Sequence, residues 1–168
     1  MGSLGDEDSF IIAHASPHVH YLTFHLWPSN WGWIDHHDPH ARLEPGLATS
    51  LAYIDRHIDI AGRLGKPIVL SEFGLHRDGG ACDPASAVTA RDRFYRAVFD
   101  RLLERAKAGG AIAGSNFRAW GGRGRSSRPD GIWQAGDPSP AIRRRRRRGC
   151  SRCRTARTGP GLPAADRR

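Results

Sequence analysis

Apolar residues recur with two periods along this chain, and the two periods alternate. Ile68-Val69-Leu70 is a continuous apolar run, with Gly65 and Pro67 before it and Gly74 after it. The pattern predicts a strand near 67–73 buried on both faces, with Glu72 at its C-terminal mouth. Val19 to Trp27 alternates and stops at Pro28, which predicts a strand near 19–27 that finishes in His25 and Trp27. Ala111 to Phe117 predicts a third strand, running on towards Trp120 and a Gly-Gly pair. Between them the period changes. Leu47, Leu51, Ile54, Ile58 and Ala61 fall on one face of a helix near 46–64, and Phe94, Val98, Leu102 and Ala106 on one face of a helix near 86–108. The order strand–helix–strand–helix–strand, with connections of this length, predicts an α/β fold with parallel neighbouring strands. Both helices then lie on one outer side, and His25, Glu72 and Trp120 meet at one end of the sheet.

Three stretches carry more than a fold. They are Tyr21-Leu22-Thr23-Phe24-His25-Leu26-Trp27-Pro28-Ser29-Asn30-Trp31-Gly32-Trp33, Gly65-Lys66-Pro67-Ile68-Val69-Leu70-Ser71-Glu72-Phe73-Gly74 and Gly114-Ser115-Asn116-Phe117-Arg118-Ala119-Trp120-Gly121-Gly122. In this order they resemble family-5 glycoside hydrolases, most nearly the endo-β-1,4-mannanase branch. The resemblance implies a (β/α)8 TIM barrel, in which these are the sixth, seventh and eighth strands. Met1 to Gly5 would end the fifth, and Asp6 to Ser16 would be the helix after it, with Phe10, Ile11 and His14 inward. A whole barrel takes about 250 residues. The expectation is therefore a partial barrel, approximately strands 5/6 to 8: residues 1–139 as the C-terminal half of a catalytic domain and 140–168 as a disordered basic tail.

The resemblance also implies roles. Glu72 matches the nucleophile of a retaining glycosidase, and His25 a histidine that binds sugar near the scissile bond. A satisfied core histidine is the alternative for His25. Trp27 stands where many relatives hold a tyrosine that bonds the nucleophile, and an indole N–H donates but cannot accept. Trp31, Trp33 and Trp120 match aromatic faces that stack on sugar rings, although Trp31 and Trp33 fit plain loop packing equally well. Arg118 departs from the family, which has a tryptophan platform there. The acid/base partner belongs to an Asn-Glu strand end, and no Asn-Glu occurs in these 168 residues. Glu7, Glu44 and Glu104 lack that context. The chain alone is thus expected to be inactive on its implied substrate, β-mannan or a related β-1,4-linked polysaccharide. No cofactor is implied.

The formal net charge of +9 would suit a nucleic-acid partner, but its distribution does not. Residues 140–168 carry eleven arginines against Asp166 alone, while residues 1–139 carry fifteen basic and sixteen acidic side chains. The excess is all tail, including the unbroken Arg143 to Arg148. So polar a segment cannot bury enough surface to fold. Its Arg/Ala/Gly/Pro character is that of GC-rich DNA read in a shifted frame. Non-enzymatic nucleic-acid binding by this tail is the competing reading; no specific nucleic acid is expected under the main one. Cys150 and Cys153 form a single CxxC without a second pair, and Cys82 stands alone, so neither a disulfide framework nor a zinc site follows. His36-His37-Asp38-Pro39-His40 reads as a solvated loop rather than a metal site. No signal peptide and no membrane span are seen in the chain; a secreted parent would carry its leader on the missing half. Half a barrel would leave strand edges open, and self-association through them is expected.

Overall fold

The computed structural model describes residues 7–35, 37–81 and 85–118. They lie within one compact unit. In chain order the elements are α1 (Glu7–Ala15), β1 (Leu22–Leu26), α2 (Leu43–Arg63), β2 (Ile68–Phe73), a 3-10 turn (Asp78–Gly80), α3 (Thr89–Lys107) and β3 (Ile112–Phe117). The strands form one sheet in the order β1-β2-β3, parallel throughout. Alternating strands and amphipathic helices are thus borne out. The strand expected at 19–27 is shorter, since Val19, His20 and Tyr21 lie before it. α2 begins three residues before the expected start at 46, because Pro45 fits the first helical turn, where no intrahelical N–H is needed.

One face of the sheet makes the core. Leu22, Phe24 and Leu26 alternate with exposed Thr23 and His25, and Ile68, Leu70 and Phe73 are buried beside them. Leu47, Ile54, Ile58 and Ala61 of α2 and Phe94, Val98 and Leu102 of α3 join the same cluster. The apolar run of β2 predicted burial on both faces. Val69 is in fact only half-buried, because no described element covers the second face of the sheet. Ala106, expected on the inner stripe of α3, is exposed near the helix end.

Polar contacts fix how the helices sit. Glu7 of α1 is ion-paired with Arg56 and Arg63 of α2, and Lys66 Nζ donates to the carbonyls of His14 (2.6 Å) and Ser16 (2.8 Å) at the end of α1. Arg101 and Arg105 of α3 pair with Asp55 and Asp59 of α2. α2 and α3 each end on a glycine with positive φ, Gly65 (63°) and Gly109 (79°), a conformation that costs glycine nothing. Each turn closes with a bond from the residue after that glycine to the helix, Lys66 N to Ala61 O and Gly110 N to Arg105 O. Both helices are thereby returned to the N-terminal edge of the sheet. Among the described residues no helix is long and apolar enough to cross a membrane.

Gly46 is a second constrained position. A Cβ there would lie 2.3 Å from Ile34 Cγ1 and 2.6 Å from the Trp33 carbonyl oxygen. Gly46→Ala gains helix propensity but must push the 27–34 loop away. Overpacking of this kind costs about 1–3 kcal/mol, so a net loss of stability is expected in chemical denaturation; an unchanged midpoint would show that the loop gives freely.

His57 of α2 is buried, stacked on Phe24 at 4.8 Å, and its Nδ1–H donates to the Tyr53 carbonyl (2.8 Å). Burial holds the imidazole below its ordinary value; the bond to Tyr53 and the nearby Glu7 charge act the other way, and Arg56 and His14 act with burial. A depressed histidine pKa means that the unfolded state binds the proton more readily. Stability from this site is complete above about pH 6.5 and falls as pH drops below it. His57→Leu should flatten that acid limb in urea melts at pH 7.5 and 5.5, and an identical pH slope in both proteins would refute the assignment.

Candidate active site

Strict alternation along β2 would put Glu72 on the same face as Leu70, inside the core. The register prevents this. Phe24 pairs with Leu70 and the next residue, His25, pairs with Glu72, so Ser71 is an extra residue, a bulge. The Ser71 hydroxyl donates to the Phe24 carbonyl (3.1 Å), which holds the irregularity in place. Downstream of the bulge the faces exchange. Phe73 becomes fully buried and Glu72 turns to the open face beside His25. Burying a carboxylate while exposing a phenyl ring would cost far more than one irregular pair, and this drives the register.

Glu72 is not alone at that mouth. Arg118, immediately after β3, donates from Nη1 to both Glu72 carboxylate oxygens, at 3.0 and 3.2 Å. Its backbone is tied down as well, since Arg118 N donates to the Phe73 carbonyl (2.8 Å). The space above this junction is filled. A Cβ on Gly74 would meet the Arg118 carbonyl oxygen at 2.6 Å, and the Trp27 ring and Tyr95 hydroxyl at 3.3 Å each. Gly74 therefore lets Trp27, Tyr95 and the Arg118 backbone close on the end of β2, next to Glu72 in the chain. Glu72, His25, Trp27 and Arg118 gather at one end of the sheet.

Trp31 and Trp33 take another direction. Their rings lie 4.8 Å apart, and 5.2 and 5.6 Å from the ring of Tyr53 on α2. They pack on the flank of that helix. Trp120 lies outside the described residues, as do His36, Cys82 and the tail from residue 140 onward. Of the histidine-rich loop, His40 Nε2 sits 3.3 Å from Asp78. That carboxylate accepts from the backbone N–H groups of Thr89 (3.0 Å) and Ala90 (3.2 Å), so Asp78 satisfies the otherwise uncapped start of α3. Among the described residues no group of three or more His, Cys, Asp or Glu is arranged to hold a metal.

The pairing of Glu72 with Arg118 was not anticipated from the sequence. A signal for it exists: the end of β2 carries a lone acid and the end of β3 a lone base, and adjacent parallel strands bring their ends together. Chemically, the mouth presents one carboxylate oriented by a guanidinium, with an imidazole opposite and an indole alongside. Such a group can attack an electrophilic carbon, but it has no neighbouring proton donor of carboxyl type among the described residues.

Residues 1–140 match the family model described as GH family 5 beta-mannosidase-like. A mannan endo-1,4-beta-mannosidase of Solanum lycopersicum is 27% identical over 136 residues, covering 81% of this chain and 32% of that protein. Another, from rice (Oryza sativa subsp. japonica), is 33% identical over 98 residues, covering 58% of this chain and 20% of that protein. Among solved structures, a glycoside hydrolase family 5 mannosidase from Rhizomucor miehei superposes with a TM-score of 0.70 at 31% identity, over 85% of this chain and 37% of that one. The same protein has been solved with a single Glu-to-Ala substitution in complex with mannosyl-fructose, and matches with a TM-score of 0.69 at 32% identity, over 85% of this chain and 36% of that one. The chain thus spans between 20% and 37% of the length of these relatives.

Proposed function

The chain belongs to glycoside hydrolase family 5, in its β-mannosidase-like group, and from that membership we propose that it supplies the nucleophile-bearing part of a retaining hydrolase acting on β-1,4-mannosidic bonds. Residues 1–139 then correspond to the last strands of a (β/α)8 barrel, approximately 5/6 to 8. One observation carries the reading. A bulge at Ser71 turns Glu72 out of the core at the C-terminal end of a parallel strand, opposite His25, and in barrels of this kind that end is where the chemistry sits.

In the proposed reaction a lone pair on a Glu72 oxygen forms a bond to the anomeric carbon. The bond from that carbon to the leaving sugar oxygen breaks with its electron pair. A second carboxyl, about 5–5.5 Å from the first in retaining enzymes, protonates the leaving oxygen. It then takes a proton from the water that displaces Glu72. His25 and Trp27 line the bound sugar. Trp31, Trp33 and Trp120 are proposed for more distant sugar contacts, the first two from the flank of α2. The acid/base carboxyl has no counterpart by motif in these 168 residues, so the chain alone does not cleave mannan. The parent enzyme is proposed to be extracellular, where mannan lies.

The test is hydrolysis of β-mannan by the 168-residue chain alone and by a chimera that joins residues 1–139 to the acid/base-bearing half of a family-5 relative. No product from the first and β-configured product from the second is the expected pair of results. Hydrolysis by the chain alone would overturn the division of roles. The strand edges of β1 and β3, unpaired among the described residues, present backbone groups to other chains. Concentration-dependent association of the chain alone is expected in analytical ultracentrifugation, and a monomer at all concentrations would contradict it.

A further inference from the structure

We propose that Arg118 gives this cleft a preference, among the β-linked sugars it accepts, for those that also bear an anionic substituent, a carboxylate above all. The inference rests on the reading of Glu72 as nucleophile. Arg118 uses only Nη1 on Glu72; among the described residues its Nε and Nη2 donors have no partner. The backbone of Arg118 is tied to the end of β2 by its N–H bond to Phe73, and its guanidinium is oriented by the Glu72 carboxylate. The pair is partly open to solvent, with side chains 44% and 31% exposed for Arg118 and Glu72. A planar fork oriented by Glu72, with two donors unpaired among the described residues, matches a carboxylate, which it binds in two parallel hydrogen bonds.

The chemistry of the reaction sharpens the point. While Glu72 is an anion it neutralises Arg118. When its oxygen becomes the ester of a glycosyl-enzyme, that charge is gone and the guanidinium is left without a counter-charge. A neutral sugar offers nothing in exchange. The ion pair then stabilises the ground state more than the intermediate, which slows attack. A sugar that brings its own carboxylate compensates Arg118 at the moment Glu72 ceases to. Discrimination therefore arises after the negative charge on Glu72 is lost, and a neutral residue at position 72 imitates that state.

The experiment titrates isotopically labelled 168-residue chain with methyl β-D-mannopyranosiduronate and with methyl β-D-mannopyranoside. The arginines of the tail also attract anions, so the signals read are the amides at 24–26, 71–74 and 116–118. In Glu72→Gln the uronate should bind about fivefold more tightly than the neutral glycoside, the scale of a partly exposed charge pair. In wild-type chain the preference should be smaller, and in the Glu72→Gln/Arg118→Gln double variant it should vanish. Equal affinities in Glu72→Gln, a preference that survives loss of Arg118, or no localised shift with either glycoside would each overturn the proposal. Because binding rather than turnover is read, this outcome is separable from the nucleophile assignment. A uronate preference with no role for Glu72 in turnover would sink the assignment and leave the selectivity standing, and the converse result would do the opposite.

Discussion

In the chimeric enzyme, Glu72→Gln lowers mannan turnover on the order of 10⁴-fold or more. The amide is nearly isosteric and keeps the fold, but it presents neither the negative charge nor the nucleophilic lone pair needed to reach the anomeric carbon. Removing general acid help would cost about 10²–10⁴-fold; losing the covalent route removes the reaction path itself. The smaller Glu72→Ala variant adds a diagnostic. It leaves a hole on the face from which Glu72 is proposed to attack, and added azide can enter there. With an activated aryl mannoside, azide should restore turnover and yield an α-mannosyl azide, inverted relative to the substrate. A β-configured azide would mean that the vacated carboxyl lay on the opposite face, where the acid/base belongs. Full activity in Glu72→Gln would show that another residue attacks.

Phe73→Ala has the largest expected effect on stability. The ring is fully buried, with Tyr95 at 5.4 Å, Phe99 at 5.5 Å and Phe94 at 6.4 Å, so it clamps β2 to α3. Phenylalanine-to-alanine changes at such sites cost about 3–5 kcal/mol. That is a large fraction of the about 5–15 kcal/mol that holds a small domain folded. The effect reaches the site as well, because burial of Phe73 is what holds the exchanged faces after Ser71. Chemical denaturation should show the midpoint falling without a change in the core helices' content at zero denaturant. A loss under 1 kcal/mol would mean that the register is held by the Ser71 bond alone.

The helices and the strand order were legible because their signals are local and repeated. Ile54, Ile58, Phe94 and Val98 are each buried where their period puts them. Boundaries were less legible: β1 lost Val19 to Tyr21, and α2 gained Leu43 to Pro45, since chain ends of elements are decided by packing rather than period. Of the site, the meeting of His25 and Glu72 followed from parallel strands. The reason Glu72 faces outward did not, since alternation from Leu70 points the other way and only the register reveals the extra residue. The contact between Glu72 and Arg118, 46 positions apart, depends on the lateral fit of two strand ends and left no periodic trace. Trp31 and Trp33 show the converse limit. Their residue type fits a sugar platform and a packed loop equally, and their contact with Tyr53 depends on where the helix flank lies.

The central claim is that Glu72 becomes covalently joined to sugar. A 2-deoxy-2-fluoro-β-mannosyl fluoride tests it directly in the chimera. Fluoride departs as an anion and needs little help from a proton donor, while fluorine at C2 slows release of the trapped glycosyl group. Digestion and mass spectrometry then locate the adduct. The account predicts a single fluoromannosyl group on Glu72, absent from Glu72→Gln. An adduct on any other carboxylate, or turnover of the reagent that leaves Glu72 unlabelled, would contradict it.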